Sequence, residues 1–208
     1  MTASEFTALL VLCTATSFTP GPNTTLSTAL AANRGLRGAL HFVLAVPVGW
    51  GLLFGACTLG LGALLQAAPM LARAVQWSGV GYLLWLALRL WRSHTAPNAP
   101  QNRLDVTFFQ GVLLQFLNIK AWMLALTVVA GWLAGRPDAA ARMVWIFPIL
   151  LAFALASNLT YAVLGHSLRP WLLDAEHGGR RLRRFNRTMA LVLVTTAVWM
   201  GTFDAQRL

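Results

Sequence analysis

Long apolar runs alternate with short polar links along the whole chain. Six runs can be marked, over about residues 5–32, 39–65, 70–91, 107–133, 143–166 and 186–203. Each can cross roughly 30 Å of hydrocarbon as a helix rising ~1.5 Å per residue. They are apolar all round rather than along one stripe, which places them in lipid or in a protein core too large for this chain. The pattern predicts an all-α integral membrane protein with six transmembrane helices in one domain, residues 1–208. The link at about 94–104 holds Pro97, Pro100 and several amides, and divides the chain into halves of about 1–93 and 105–208.

The first run contains an interruption, Thr19-Pro20-Gly21-Pro22, near its centre. Two prolines around a glycine cannot continue a helix, because each proline lacks an N–H and clashes one turn back. The reading is a helix that starts near Ser4, breaks there, restarts at Asn23 or Thr24 and ends near Asn33-Arg34-Gly35. Broken backbone at membrane depth is tolerated where it is buried in protein or lines a cavity. The fourth run carries Asn118-Ile119-Lys120 near its own centre. Three helices per half give the halves opposite orientations, so the two irregular helices fit an inverted 3+3 repeat meeting at mid-depth.

Lys120 is the chain's only lysine. A cation at the centre of a span costs several kcal/mol, roughly 3 on insertion scales, so it must face a cavity or a partner. No acidic residue lies deep in any run. Lys120 therefore loses its proton, awaits an anionic ligand, or is capped by carbonyls freed at the first break. The restart after Pro22 offers unpaired N–H groups and a partial positive charge. Pro20, Gly21, Pro22, Asn23, Thr24, Thr25 and Lys120 together would form a carboxylate pocket. Gln115, Asn118, Asn158 and Tyr161 could serve the amino end of a ligand, and Asn158 and Tyr161 could equally bond between helices.

Only 11% of residues are charged, yet the net charge is +10. In a soluble chain that balance would point to nucleic acid. Here the arginines lie between the runs, which fits the positive-inside rule and a bilayer rather than a nucleic-acid partner. Arg34, Arg37, Arg89, Arg92, Arg103, Arg169, Arg180, Arg181, Arg183, Arg184 and Arg187 follow the odd-numbered runs; Arg73, Arg136, Arg142 and Arg207 lie on the other side. Both termini are thus expected to face outward. The first run lacks the basic flank of a secretory signal and is expected to be retained. The segment from Ser167 to Arg187 reads as a basic link lying on the anionic leaflet. Gly51 and Gly55 form a small-xxx-small pair that suits tight internal packing or a homodimer face. Cys13 and Cys57 read as packing residues.

Nothing in the sequence has catalytic or metal-binding spacing, so neither an enzyme nor a metal or cofactor is expected. An intramembrane enzyme would need an acid–base pair, for which His166 is the one candidate. A channel is the other alternative to a carrier.

These residues carry a resemblance. Thr19-Pro20-Gly21-Pro22-Asn23, then Trp77-Ser78-Gly79-Val80-Gly81-Tyr82-Leu83-Leu84-Trp85-Leu86, then Phe108-Phe109-Gln110-Gly111 with Leu117-Asn118-Ile119-Lys120-Ala121 resemble the motifs of the LysE/RhtB family of bacterial amino-acid exporters. Ile119 stands where most of that family has proline. Gln115-Phe116-Leu117-Asn118-Ile119-Lys120, Ala162-Val163-Leu164-Gly165-His166 and Arg184-Phe185-Asn186-Arg187 are similar to the cysteine/O-acetylserine exporter branch, which also lacks that proline. The resemblance implies antiport from the cytoplasm across the bacterial inner membrane, driven by protons. The substrates it implies are small amino acids, cysteine/O-acetylserine-like or homoserine/threonine-like. Lys120, Glu5 and His166 are the proton-coupling candidates.

Overall fold

A computed structural model describes residues 1–93, 104–174 and 179–202. Among them there is no strand. The helices are α1 (Ala3–Phe18), α2 (Pro22–Thr58), α3 (Leu61–Ala67), α4 (Pro69–Arg92), α5 (Phe108–Leu117), α6 (Ile119–Val128), α7 (Ala139–Leu172) and α8 (Arg180–Thr202). A π-helical turn over Val129–Leu133 prolongs α6. The expected linker at 94–104 lies outside the described residues, apart from Leu104.

α1 starts at Thr2, two residues before the expected cap at Ser4. The Thr2 hydroxyl accepts from the Glu5 N–H (3.2 Å), and the Glu5 carboxylate accepts from the Thr2 N–H (2.8 Å). This reciprocal box satisfies amides that a helix start leaves open. α1 ends at the predicted break, where Thr19 is extended at φ −73°, ψ 133°. Pro22 opens α2 at the position where a missing N–H is no loss. α2 is in fact two helices joined at Gly35, whose φ of +77° glycine adopts without a Cβ penalty. The first half-helix therefore ends where the sequence placed its end.

Two further boundaries differ from the sequence expectation, and the completeness of the fourth-run break, left open by the sequence, is decided. The second run is not one helix: α2 stops at Thr58 and Gly60 starts the short α3. The fourth run breaks fully, without a proline: 108–117 and 119–133 are bent by 66° at Asn118. The basic link expected over Ser167–Arg187 is largely helical, since α7 runs through Pro170 to Leu172 and α8 begins at Arg180. Apolar periodicity fades there, but arginine is itself a good helix former.

By length and composition α2 and α7 can each cross a membrane, and the bent α5–α6 pair adds a third span if its two helices cross together. α4 and α8 have 24 and 23 residues, with more polar and basic positions. α1 is apolar, with 16 residues.

Buried side chains form two main clusters. One joins α2, α4, α5 and α8 through residues such as Phe42, Leu83, Leu114 and Leu193. The other joins α1, the end of α2, α6 and α7 through Leu9, Phe54, Trp122 and Ile146. α2 packs most extensively on α7. Gly165 allows that approach, because a Cβ there would meet the Thr28 backbone. Gly51 is likewise packed internally, against Phe147 and Leu151, whereas Gly55 has nothing within 4 Å of a built Cβ. Cys13 and Cys57 are both buried in the second cluster.

Candidate functional site: a cavity between two broken helices

The breaks in α1–α2 and α5–α6 border one cavity of about 70 Å³. A buried water needs roughly 10–15 Å³ on this measure, so the space has the scale of a few waters or one small solute. It lies where the two apolar clusters meet: Val46 comes from the first, and Trp50, Ala121 and Leu150 from the second.

Lys120 crosses this space. Its Nζ donates to the Thr19 carbonyl at 2.8 Å, an oxygen freed by the helix break. The carbonyl cap is thus present, and the ammonium keeps two further N–H donors. A Cβ built on Gly21 would lie 3.6 Å from Lys120 Nζ, an ordinary van der Waals contact, so this backbone is the ammonium's near neighbour.

Two helix N-termini open onto the cavity. Pro22, Asn23 and Thr24 of α2 line it, as do Asn118, Lys120 and Ala121 of α6. At α2 the Thr24 hydroxyl accepts from the Gly21 N–H (3.0 Å), and the first intrahelical bond runs from Thr25 N–H to Gly21 O (3.0 Å). The Asn23 and Thr24 amides come before it and have no intrahelical acceptor. At α6 the Asn118 side-chain oxygen accepts from the Lys120 N–H (3.2 Å). Each terminus contributes a partial positive charge, worth up to ~2 kcal/mol to an anion where partly buried. The arrangement can hold one carboxylate against an ammonium and two helix ends.

Two other freed carbonyls also find donors, as low-dielectric surroundings favour. The Tyr161 hydroxyl donates to Phe18 O at 2.8 Å, and the Trp122 indole N–H donates to Phe116 O at 2.8 Å.

Of the residues expected here, Gly21, Pro22, Asn23, Thr24, Asn118, Lys120 and Asn158 line the cavity. Pro20 is exposed, and Thr25 is buried away from the wall. Gln115 stands behind Asn23 in a reciprocal amide pair: Asn23 Nδ2 donates to Gln115 Oε1 (2.8 Å) and Gln115 Nε2 donates to Asn23 Oδ1 (3.1 Å). Asn158 Oδ1 accepts from the Ser27 hydroxyl at 2.9 Å, and its amide donates to Ala154 O at 2.8 Å. Asn158 and Tyr161 thus both bond between helices, and Asn158 faces the cavity as well.

The sequence reading missed Thr16, Ser17, Trp50 and Ser157, which also line it. Thr16 and Ser17 lie within one turn of the break, and Ser157 precedes Asn158; both placements were available signals. Trp50 follows Gly49, where a built Cβ would be 2.6 Å from Val112 O. That close α2–α5 crossing brings the indole to the wall.

Glu5 and His166 lie outside the cavity wall. Glu5 joins α1 to α7 through Arg142 (3.2 Å), and also pairs with Arg136 (3.2 Å). Arg142 Nε lies 2.8 Å from both oxygens of Asp138. That contact is the main reason the Asp138 carboxyl sits below the usual carboxylate range. His166 is exposed, with Nδ1 3.9 Å from a Cβ built on Gly35.

Apolar helices long enough to span a bilayer, together with a polar cavity at two helix breaks, are features of membrane translocators. Comparison places the chain within that class. It belongs to the LysE type translocator family, whose model matches residues 14–202. The cysteine/O-acetylserine efflux protein of Escherichia coli (strain K12) is 25% identical over 198 residues, 95% of this chain and 98% of the relative. The proteins of that name from Shigella sonnei (strain Ss046) and from Escherichia coli O1:K1 / APEC match with the same identity and coverage. No solved structure matches the chain.

Proposed function

We propose that this protein exports small amino acids, cysteine- or O-acetylserine-like, across the bacterial inner membrane as a proton-driven antiporter. The single observation that carries the reading is the cavity in which the only lysine meets two half-helix N-termini. An α-amino acid supplies the carboxylate that such a site holds best. The small volume favours a small side chain, and the names of the relatives support this class.

In this reading six spans form an inverted 3+3 repeat. α1 with residues 22–34 is the first, 36–58 the second, α4 the third, α5–α6 the fourth, α7 the fifth and α8 the sixth. Both termini face the periplasm. Substrate carboxylate replaces the Thr19 carbonyl at Lys120. That exchange releases the end of α1, and one half then rocks on the other around the cavity where the two clusters meet. Lys120 is also the proton carrier, and antiport requires it to bring a proton inward on the empty return and to release it to the cytoplasm before substrate moves outward. Glu5 and His166 are the alternative carriers.

The test is counterflow in proteoliposomes preloaded with one unlabelled amino acid at a time: cysteine, O-acetylserine, homoserine, threonine or lysine. Uptake of label against its gradient, for a small neutral amino acid, is the expected result. Flux without counterflow would make the protein a channel. No flux for any of the five would overturn the amino-acid reading.

A further inference from the structure

Away from the central cavity, the C-terminal end of α7 and the first turns of α8 enclose a cavity of about 540 Å³. Its walls are Trp171, Arg180, Arg181, Arg184, Phe185 and Thr188. Arg181 is fixed as a wall: it donates to Asp174 at 3.0 Å, and its guanidinium lies 4.9 Å from the Trp171 ring centre. Arg180 and Arg184 are exposed at the rim.

Both helices turn apolar away from that rim. On α7, Trp171, Leu168 and Leu164 share a face by their i, i−3, i−7 spacing and are 58%, 43% and 53% exposed. On α8, Arg184, Thr188 and Leu191 share a face by i, i+4, i+7 spacing, and Leu191 is 55% exposed. A ligand entering here meets guanidinium groups, then a hydroxyl and an aromatic ring, then bare aliphatic surface. The phosphate, ester and acyl chain of a phospholipid follow one another in the same order. The larger cavity of about 850 Å³ among α2, α3, α6 and α7 has no charged wall residue and lacks this sequence of chemistries.

We propose that the α7–α8 cavity is a binding site for an anionic phospholipid. Arg180 and Arg184 take its phosphate, Trp171 and Phe185 flank its ester region, and an acyl chain runs along Leu164 and Leu168. Basic pockets between membrane helices hold anionic headgroups in this way, at about fivefold in affinity per arginine near the surface. The site ties the end of α7 to the start of α8 through the lipid.

Full-length protein in neutral detergent would be titrated with phosphatidylglycerol and with phosphatidylcholine of the same acyl chains, and bound lipid counted by native mass spectrometry. Wild type is expected to prefer phosphatidylglycerol by more than tenfold. R180Q/R184Q should lose about thirtyfold in phosphatidylglycerol affinity. R73Q/R183Q, which removes the same charge away from the cavity walls, should keep the preference. Equal binding of the two lipids by wild type would overturn the proposal without any variant. So would an equal loss in both double variants, or displacement of the lipid by millimolar inorganic phosphate, which would mean a soluble-anion site. Counterflow is not read in this experiment, so the proposal stands or falls apart from the transport assignment.

Discussion

Ile119→Pro should be nearly silent, although proline in the middle of a membrane helix is ordinarily disruptive. Ile119 is the first residue of α6, and Asn118 before it is extended at φ −103°, ψ 101°. Residues before proline favour that region, and a first-position amide has no intrahelical acceptor to lose. The ring keeps three of the four side-chain carbons of an isoleucine that is 2% exposed. The lost packing is therefore about that of Ile→Val, ~0.5–1.5 kcal/mol. Restriction of the unfolded chain offsets ~0.4–1 kcal/mol of it. The net change is ~0–1 kcal/mol, a melting shift of at most about 4 °C for a chain of this size. Ala125→Pro, inside α6, supplies the scale: it loses a backbone bond and clashes one turn back, ~3 kcal/mol or more and about 6–12 °C. Thermal unfolding of both variants in the same detergent makes the comparison. Ile119→Pro as damaging as Ala125→Pro would mean that helix runs unbroken through Asn118, and the two-terminus cavity would be refuted.

Tyr161→Phe removes the donor to Phe18 O but no cavity wall, so stability should fall by ~0.6–2 kcal/mol while counterflow half-saturation stays within twofold. A tenfold loss of apparent affinity would instead put the hydroxyl on the substrate. Asp138 has a folded-state carboxyl below the usual range, held there mainly by Arg142. Its contribution is therefore present above the unfolded value near 4 and is lost as pH falls through the lower folded one. Asp138→Asn should lower the melting temperature at pH 7 and shrink the gap to wild type as pH drops below about 4. Lys120→Arg should flatten the pH dependence of any remaining transport, because arginine does not deprotonate in this range. An unchanged pH profile would move coupling to Glu5 or His166.

The irregular backbone was the most legible part of this chain. Pro20-Gly21-Pro22 has a single reading at membrane depth, and a lone lysine in an apolar run has to face something polar. Both arguments concern the cost of an isolated group, which needs no knowledge of neighbours. The Asn118 break was less legible because it does not depend on proline. It follows from the Asn118 side chain capping Lys120 N–H and from the Trp122 indole taking Phe116 O, two contacts that form only when the chain bends. Polarity alone also did not tell wall from scaffold. Gln115 and Asn23 read as two separate ligand contacts, but each amide satisfies the other. Trp50 read as one more apolar residue, and only the tight Gly49–Val112 crossing makes it a wall. The start of α8 was hidden because its first turns hold the arginines that ended the apolar pattern.

The most direct test of the central claim is counterflow of O-acetylserine and cysteine by wild type and Lys120→Met, reconstituted side by side at equal folded protein. Methionine keeps an unbranched side chain one atom shorter and removes its donors. If the carboxylate is held at Lys120 between the two helix ends, wild type exchanges label and Lys120→Met does not, with unfolding temperatures that remain close. Counterflow at wild-type rate and half-saturation in Lys120→Met would contradict the claim and leave Lys120 as a cap on Thr19.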